Sequence, residues 1–131
     1  MTAKILEIFV VAAVVFATID LVWIVGVVNK MYREELGSIV LKKPRSLPAV
    51  LFYLIYIGGL VYFAILPAYN DGTALSALRD GALYGLFTYA TFDLTNWSVL
   101  ESWTRKVVLA DIAWGIVISG TVAGLTRLIV G

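Results

Sequence analysis

Long apolar segments dominate the chain and alternate with three short polar connections. The segments cover about residues 5–28, 47–66, 75–97 and 107–130. Each is close to the 20 or so residues that an α-helix needs to cross the hydrocarbon core of a bilayer. Strands of a membrane barrel would instead be about ten residues long, with alternating polar positions. The pattern therefore predicts an all-α fold, a four-helix transmembrane bundle, in which residues 1–131 form one domain.

Proline and glycine mark the expected helix ends. Pro48 lies in the first turn of the second segment, where a helix tolerates proline, and Pro67 follows its last apolar residue. We expect Pro67 to end that helix. Residues 29–37 predict a short helical extension of the first segment that ends at Gly37. The first apolar run is too long for the core of a signal peptide, so we expect it to remain as the first helix.

The composition excludes several classes of protein. Of the 131 residues, 61% are hydrophobic and 15% are charged, and the net charge is +1. Soluble domains carry about 25% charged residues, and nucleic-acid binding would require a clustered basic surface. Cysteine and histidine are absent, which removes disulfides, zinc–thiolate sites, iron–sulfur clusters and histidine-ligated haem. We therefore predict no nucleic-acid partner and no metal site beyond the carboxylates, and the sequence leaves any cofactor undefined.

Lysine and arginine concentrate in the first and third connections. These two connections contain Lys30, Arg33, Lys42, Lys43, Arg45, Arg105 and Lys106. The opposite side contains Lys4, Arg79 and Arg127. The positive-inside rule then predicts cytoplasmic first and third connections, with both termini outside. The basic cluster at residues 42–45 either contacts anionic headgroups or serves only as a topology anchor.

Three of the segments contain an aspartate that is followed, at helical spacing, by a tryptophan or an asparagine. An aspartate at the centre of a membrane helix costs roughly 2.5 to 3.5 kcal/mol, so three of them indicate a site. At about 1.5 Å per residue, all three lie within roughly 6 to 12 Å of the predicted cytoplasmic surface. We predict one acidic pocket in that layer, walled by tryptophan and tyrosine. Its expected residues are Asp20, Trp23, Tyr56, Tyr89, Asp93, Asn96, Asp111 and Trp114.

The charge state of this pocket follows from its surroundings. No lysine or arginine lies at the same depth within the apolar runs, although Arg105 and Lys106 could reach toward Asp111. Burial and a neighbouring carboxylate both favour the neutral form of an acid. We therefore expect at least one of the three acids to be protonated unless a cation sits among them. Such a pocket should attract protons, metal ions or organic cations.

Structural interpretations compete with this prediction. An aspartate with an asparagine partner often holds helices together, and Asp111 suits the first turn of a helix through the helix dipole. Trp97 and Trp103, near the membrane ends, are interpreted as aromatic-belt anchors. Two Gly-x-x-x-Gly motifs begin at Gly81 and Gly120, and such motifs allow close helix packing. Because Gly120 lies opposite Asp111 on a helical wheel, we expect the second motif to form a homodimer seam.

Two sequence motifs resemble a known family. Residues 89–96 (Tyr-Ala-Thr-Phe-Asp-Leu-Thr-Asn) and 111–115 (Asp-Ile-Ala-Trp-Gly) resemble the bacterial membrane proteins catalogued as domain of unknown function 2177. Asp-x-x-Trp at residues 20–23 is similar to the opening motif of that family. Trp97 departs from the pattern, which has a smaller aliphatic residue there. The resemblance implies four spans and a bacterial inner (plasma) membrane, and it brings no established activity.

Three functions remain open. The favoured one is binding or transport of a proton, metal ion or organic cation, for which a thin four-helix pathway would call for a homodimer. The second is a lipid-linked membrane enzyme, or the partner of one, acting at the inner leaflet. There Asp20 or Asp93 would act as general acid or base, and Asn96 would orient the substrate. The third is a structural or assembly subunit. Membrane lipids are expected partners in every case.

Overall fold

The computed structural model describes residues 2–41 and 43–131, so Lys42 of the basic cluster lies outside the described part. These residues form four long helices and no strand, which confirms the predicted all-α bundle. The helices are α1 (Thr2–Ile39), α2 (Ser46–Asp71), α3 (Ala74–Val99) and α4 (Arg105–Val130). Within the described residues α1, α2 and α4 are long and apolar enough to cross a membrane.

Helix α1 changes its winding toward its end. It is α-helical over Thr2–Trp23, widens into a π-helical turn over Ile24–Val28 and is α-helical again over Asn29–Leu36. Gly37 then ends the α-helical part with a φ of 58°, a conformation that side chains other than glycine rarely adopt. The predicted extension of the first helix, ending at Gly37, is confirmed.

Helix α2 continues through Pro67, so the expectation that this proline ends the helix is wrong. A π-helical turn at Val61–Ile65 precedes it, and the helix resumes over Leu66–Asp71. Proline lacks an N–H and its ring crowds the carbonyl of the preceding turn. It is accommodated here because the wider turn changes the hydrogen bonding just before it.

Helices α3 and α4 pack against each other along both glycine motifs. A methyl group at Gly85 would overlap the carbonyl of Gly115, and one at Gly81 would overlap the carbonyl of Ser119. Gly120 in turn lies against the carbonyl of Leu78 on α3. The expected homodimer seam at the second motif is therefore wrong, since that motif is covered by α3 of the same chain.

Helix α3 is the most polar of the four, yet it belongs to the bundle by its packing. It is 26 residues long and begins at a capping box in which Thr73 and Ser76 satisfy each other's backbone N–H groups. Its buried face consists of Ala77, Gly81, Gly85 and Asp93. The small residues let α3 approach α4 closely, and its large apolar side chains point outward.

The two halves of α2 differ in their packing. The second half supplies much of the core, including Tyr56, Leu60 and Ala64, which pack with Phe16 of α1. In residues 46–55, by contrast, Tyr53 alone is partly buried and every other residue is exposed. The first half of α2 therefore leaves space between itself and the rest of the bundle.

Candidate ligand-binding cavity

A cavity of about 460 Å³ lies among the four helices, a size typical of small-molecule sites. It is at the end of the bundle that carries the first and third connections, which we call the basic end. Six of the eight predicted site residues line it, namely Asp20, Trp23, Tyr56, Tyr89, Asp111 and Trp114. The remaining lining residues are Ile24, Val28, Tyr32, Phe52, Thr88 and Phe92.

Asp20 is held by donors from two other helices. Its Oδ1 accepts a hydrogen bond from Nε1 of Trp114 at 3.0 Å, and its Oδ2 accepts one from the hydroxyl of Tyr53 at 2.5 Å. Trp114 belongs to α4 and Tyr53 to α2, so this carboxyl group joins three helices. Because both oxygens accept and neither donates, the arrangement suits an ionised carboxylate.

An aromatic wall stands beside Asp20. The indole rings of Trp23 and Trp114 are stacked, with centroids 4.4 Å apart and planes within 6° of parallel. Trp23 follows Asp20 by three residues on α1, so the ring and the carboxyl group share one face of the helix. The electron-rich ring faces and the carboxylate together favour a positively charged ligand.

Asp93 and Asp111 form a second acidic group. Asp93 is fully buried, and its Oδ1 accepts from Nε1 of Trp103 at 3.3 Å. Tyr32 donates to Oδ2 of Asp111. The two carboxyl groups are neighbours, and Oδ2 of Asp93 has no hydrogen-bond donor among the described residues. A proton held between the two carboxyl groups would give this buried oxygen a hydrogen-bond partner, whereas two ionised carboxylates could only accept.

Trp103 is not an aromatic-belt anchor, contrary to our interpretation of the sequence. Its side chain is only 8% exposed, whereas that of Trp97 is 44% exposed. The third connection folds back so that Trp103 packs beneath the extension of α1, against Met31 and Leu36. Burial of an indole calls for a partner for its N–H, and Asp93 supplies one.

The extension of α1 brings Tyr32 to the site, and the sequence did not identify this residue. Tyr32 lies in the polar first connection, outside the apolar runs in which the site residues are predicted. A usable signal was present, because Met31, Tyr32 and Leu36 form a helical apolar repeat within that segment. Glu35 also accepts a hydrogen bond from Thr104 at 2.9 Å, which holds the extension over the third connection.

Asn96 is separate from the cavity. It is half-buried one turn beyond Asp93, and its backbone carbonyl accepts from the N–H of Leu100 at the end of α3. Asp93 does not line the cavity either, but it is a neighbour of Asp111, which does. Of the predicted residues, Asn96 alone has no link to the other site groups in the described structure.

None of the three buried acids is paired with a lysine or arginine in the described part of the chain. The salt bridges found there join Lys4 to Glu7, Lys30 to Glu34 and Arg79 to Asp80. Arg105 and Lys106, which could have reached toward Asp111, form no ion pair with it. Across residues 2–41 and 43–131, no group of three or more acidic, cysteine or histidine side chains is placed to hold a metal ion.

Comparison with known proteins places the chain in a family. A family model described as "Predicted membrane protein (DUF2177)" matches residues 5–128. The chain belongs to this family. The predicted resemblance to this family is thereby confirmed, and the apolar helices agree with a membrane protein. No curated protein and no solved structure matches the chain.

Comparison of substitutions at Trp103 and Trp97 tests the contact between Trp103 and Asp93. Replacing Trp103 by Phe removes the one side-chain donor to Asp93 in the described structure. Leaving a buried carboxyl oxygen without its donor should lower the free energy of unfolding by about 1–3 kcal/mol. The matched variant Trp97→Phe, at an exposed ring, should change the free energy of unfolding by less than about 0.5 kcal/mol. Unfolding in mixed micelles measures both, and equal stability of the two variants would refute the structural role of Trp103.

Proposed function

We propose that this membrane protein binds an organic cation in the cavity and exchanges it for protons across the membrane. The observation that carries the proposal is the combination of Asp20 with the stacked rings of Trp23 and Trp114. A carboxylate that only accepts hydrogen bonds has no basic partner in the described residues, and it lies beside the partly buried indole rings that line the cavity. An organic cation would supply the missing charge.

The lining favours an organic cation over a metal ion. Metal ions such as Ca²⁺ and Mg²⁺ take about six or more oxygen ligands, and the cavity presents chiefly aromatic and aliphatic groups. Both oxygens of Asp20 already accept from Tyr53 and Trp114. A quaternary ammonium needs no hydrogen bond, and it is stabilised by carboxylates and by aromatic faces together.

The acidic pair supplies a proton for exchange. Asp111 lines the cavity, and a proton held between Asp93 and Asp111 gives the otherwise unpartnered Oδ2 of Asp93 a hydrogen bond. A positive charge entering beside Asp111 favours the ionised form of both acids, so binding of the cation promotes release of that proton. Exchange of one cation for one proton follows from this competition.

The proposal also includes a location and an orientation. The cavity lies at the basic end, where Lys30, Arg33, Lys43, Arg45, Arg105 and Lys106 surround the first and third connections. By the positive-inside rule this end faces the cytoplasm of a bacterial inner membrane, and both termini face outward. Reaction of single introduced cysteines with an impermeant reagent in intact cells tests this orientation.

Flux through liposomes tests the exchange. Liposomes that contain the protein and an internal pH dye receive an inward gradient of tetramethylammonium. Entry of the cation in exchange for protons should raise the internal pH, and protein-free liposomes should show no change. The variant Asp80→Asn, at a partly exposed acid that does not line the cavity, should keep the flux. No pH change together with no binding of tetramethylammonium would contradict the proposed function, and binding without flux would remove its transport step.

A further inference from the structure

The cavity is open on one side, between the first half of α2 and the second half of α3. Phe52 of α2 and Phe92 of α3 both line the cavity, yet their side chains are 47% and 51% exposed. The exposure arises because residues 46–55 of α2 hardly contact the bundle. Both phenylalanines lie inside long helices of a membrane bundle, so this opening faces lipid.

The two ends of the cavity differ in chemistry. Its inner end holds the carboxyl groups of Asp20 and Asp111, both of which are buried. Its mouth is formed by hydrocarbon, from the rings of Phe52 and Phe92. A ligand that matches both ends has a positively charged head and an apolar tail.

We infer that the ligand is a single-tailed cationic amphiphile, a long-chain alkylammonium compound, that enters sideways from the bilayer. Its head lies against Asp20 and the aromatic wall of Trp23 and Trp114, and its tail leaves between Phe52 and Phe92. This inference rests on the proposed cation site for the head and adds the tail and the route. The charge complementarity at the inner end distinguishes such a ligand from a neutral lipid chain, which would leave the carboxylates without a counter-ion.

The absence of cysteine from the chain allows a clean test by labelling. In the single variants Phe52→Cys and Phe92→Cys, the introduced cysteine is modified with a thiol-reactive trifluoromethyl label at the mouth of the cavity. Phe87→Cys is the matched control, because Phe87 is 64% exposed on the same helix as Phe92 and does not line the cavity. Each labelled protein is placed in phosphatidylglycerol nanodiscs. It is then titrated with tetramethylammonium or with dodecyltrimethylammonium, at concentrations that leave the nanodiscs intact.

Dodecyltrimethylammonium is expected to shift the fluorine signals of labels 52 and 92 in a saturable way and to leave label 87 unchanged. The shifts should disappear when Asp20→Asn is added. Tetramethylammonium, which has the head alone, should change the tryptophan fluorescence without moving either label. Equal shifts at all three positions, or shifts that persist with Asp20→Asn, would overturn the inference by showing a general effect on the bilayer.

Two further outcomes separate this inference from the proposed function. If tetramethylammonium changes the tryptophan fluorescence and the long-chain cation moves neither mouth label, the tail route is wrong and the cation site stands. If neither cation changes the fluorescence, the cation site itself is wrong, and the inference fails with it. Signals at 52 and 92 that depend on protein concentration without ligand would instead assign the opening to a second copy of the chain.

Discussion

The variant Asp20→Asn is expected to bind tetramethylammonium at least about 30-fold more weakly than the natural protein does. Removing one partner of a buried charge pair costs roughly 2–5 kcal/mol, and 2 kcal/mol corresponds to about 30-fold in affinity. Asparagine has nearly the shape of aspartate, and its amide oxygen can still accept from Tyr53 or Trp114. The loss should therefore appear in binding and not in folding.

Calorimetric titration in phosphatidylglycerol nanodiscs measures this effect, and circular dichroism checks the helical content. The control is Asp80→Asn, which removes the same charge at a partly exposed position on α3, where the acid pairs with Arg79 at 2.9 Å. An equal loss in both variants would mean that the net charge of the protein attracts the cation, and the cavity would lose its assigned role.

The second large effect is expected at Gly85, where substitution by alanine should lower the free energy of unfolding by about 1–3 kcal/mol. A Cβ atom there would overlap the carbonyl group of Gly115 and the side chain of Ser119 on α4. Alanine favours a helix by about 1 kcal/mol over glycine, so the steric overlap has to exceed this gain. The atoms in the way belong largely to the backbone, so the two helices would have to separate.

Gly26 provides the opposite case in the same chain. A Cβ atom at Gly26 would have no atom within 4 Å, so Gly26→Ala should leave the stability unchanged or raise it by up to about 1 kcal/mol. Unfolding of both variants in mixed micelles measures whether each substitution lowers or raises the free energy of unfolding. If Gly85→Ala were as stable as Gly26→Ala, the close contact between α3 and α4 would be refuted.

The sequence predicted the four helices well because the thickness of a bilayer dictates their length. Pro67 shows the limit of that reasoning, since its effect depends on the winding of the preceding turn. That turn is π-helical only in the packed structure. The position of Gly120 on a helical wheel was also misleading. The second half of α4 is buried around most of its surface, so even the side opposite Asp111 contacts another helix.

The grouping of the three acids was predictable, because it depends only on their depth in the membrane. Asp20 and Asp111 line one cavity and Asp93 adjoins it, as comparison of their depths along the helices suggested. Depth does not show which donors reach an acid, and Tyr32 and Trp103 come from segments outside the four predicted apolar spans. The motif containing Asn96 predicted a role at the same site, but helical spacing from Asp93 did not bring it to the cavity.

The most direct test of the cation site is a solid-state NMR measurement of contacts between labelled tetramethylammonium and the four tryptophans. We predict cross-peaks from its methyl groups to the indole rings of Trp23 and Trp114, which stack beside Asp20. Exposed Trp97 and buried Trp103 should give none, and Asp20→Asn should remove the signals. Contacts to Trp97 alone, or to lipid alone, would contradict the account.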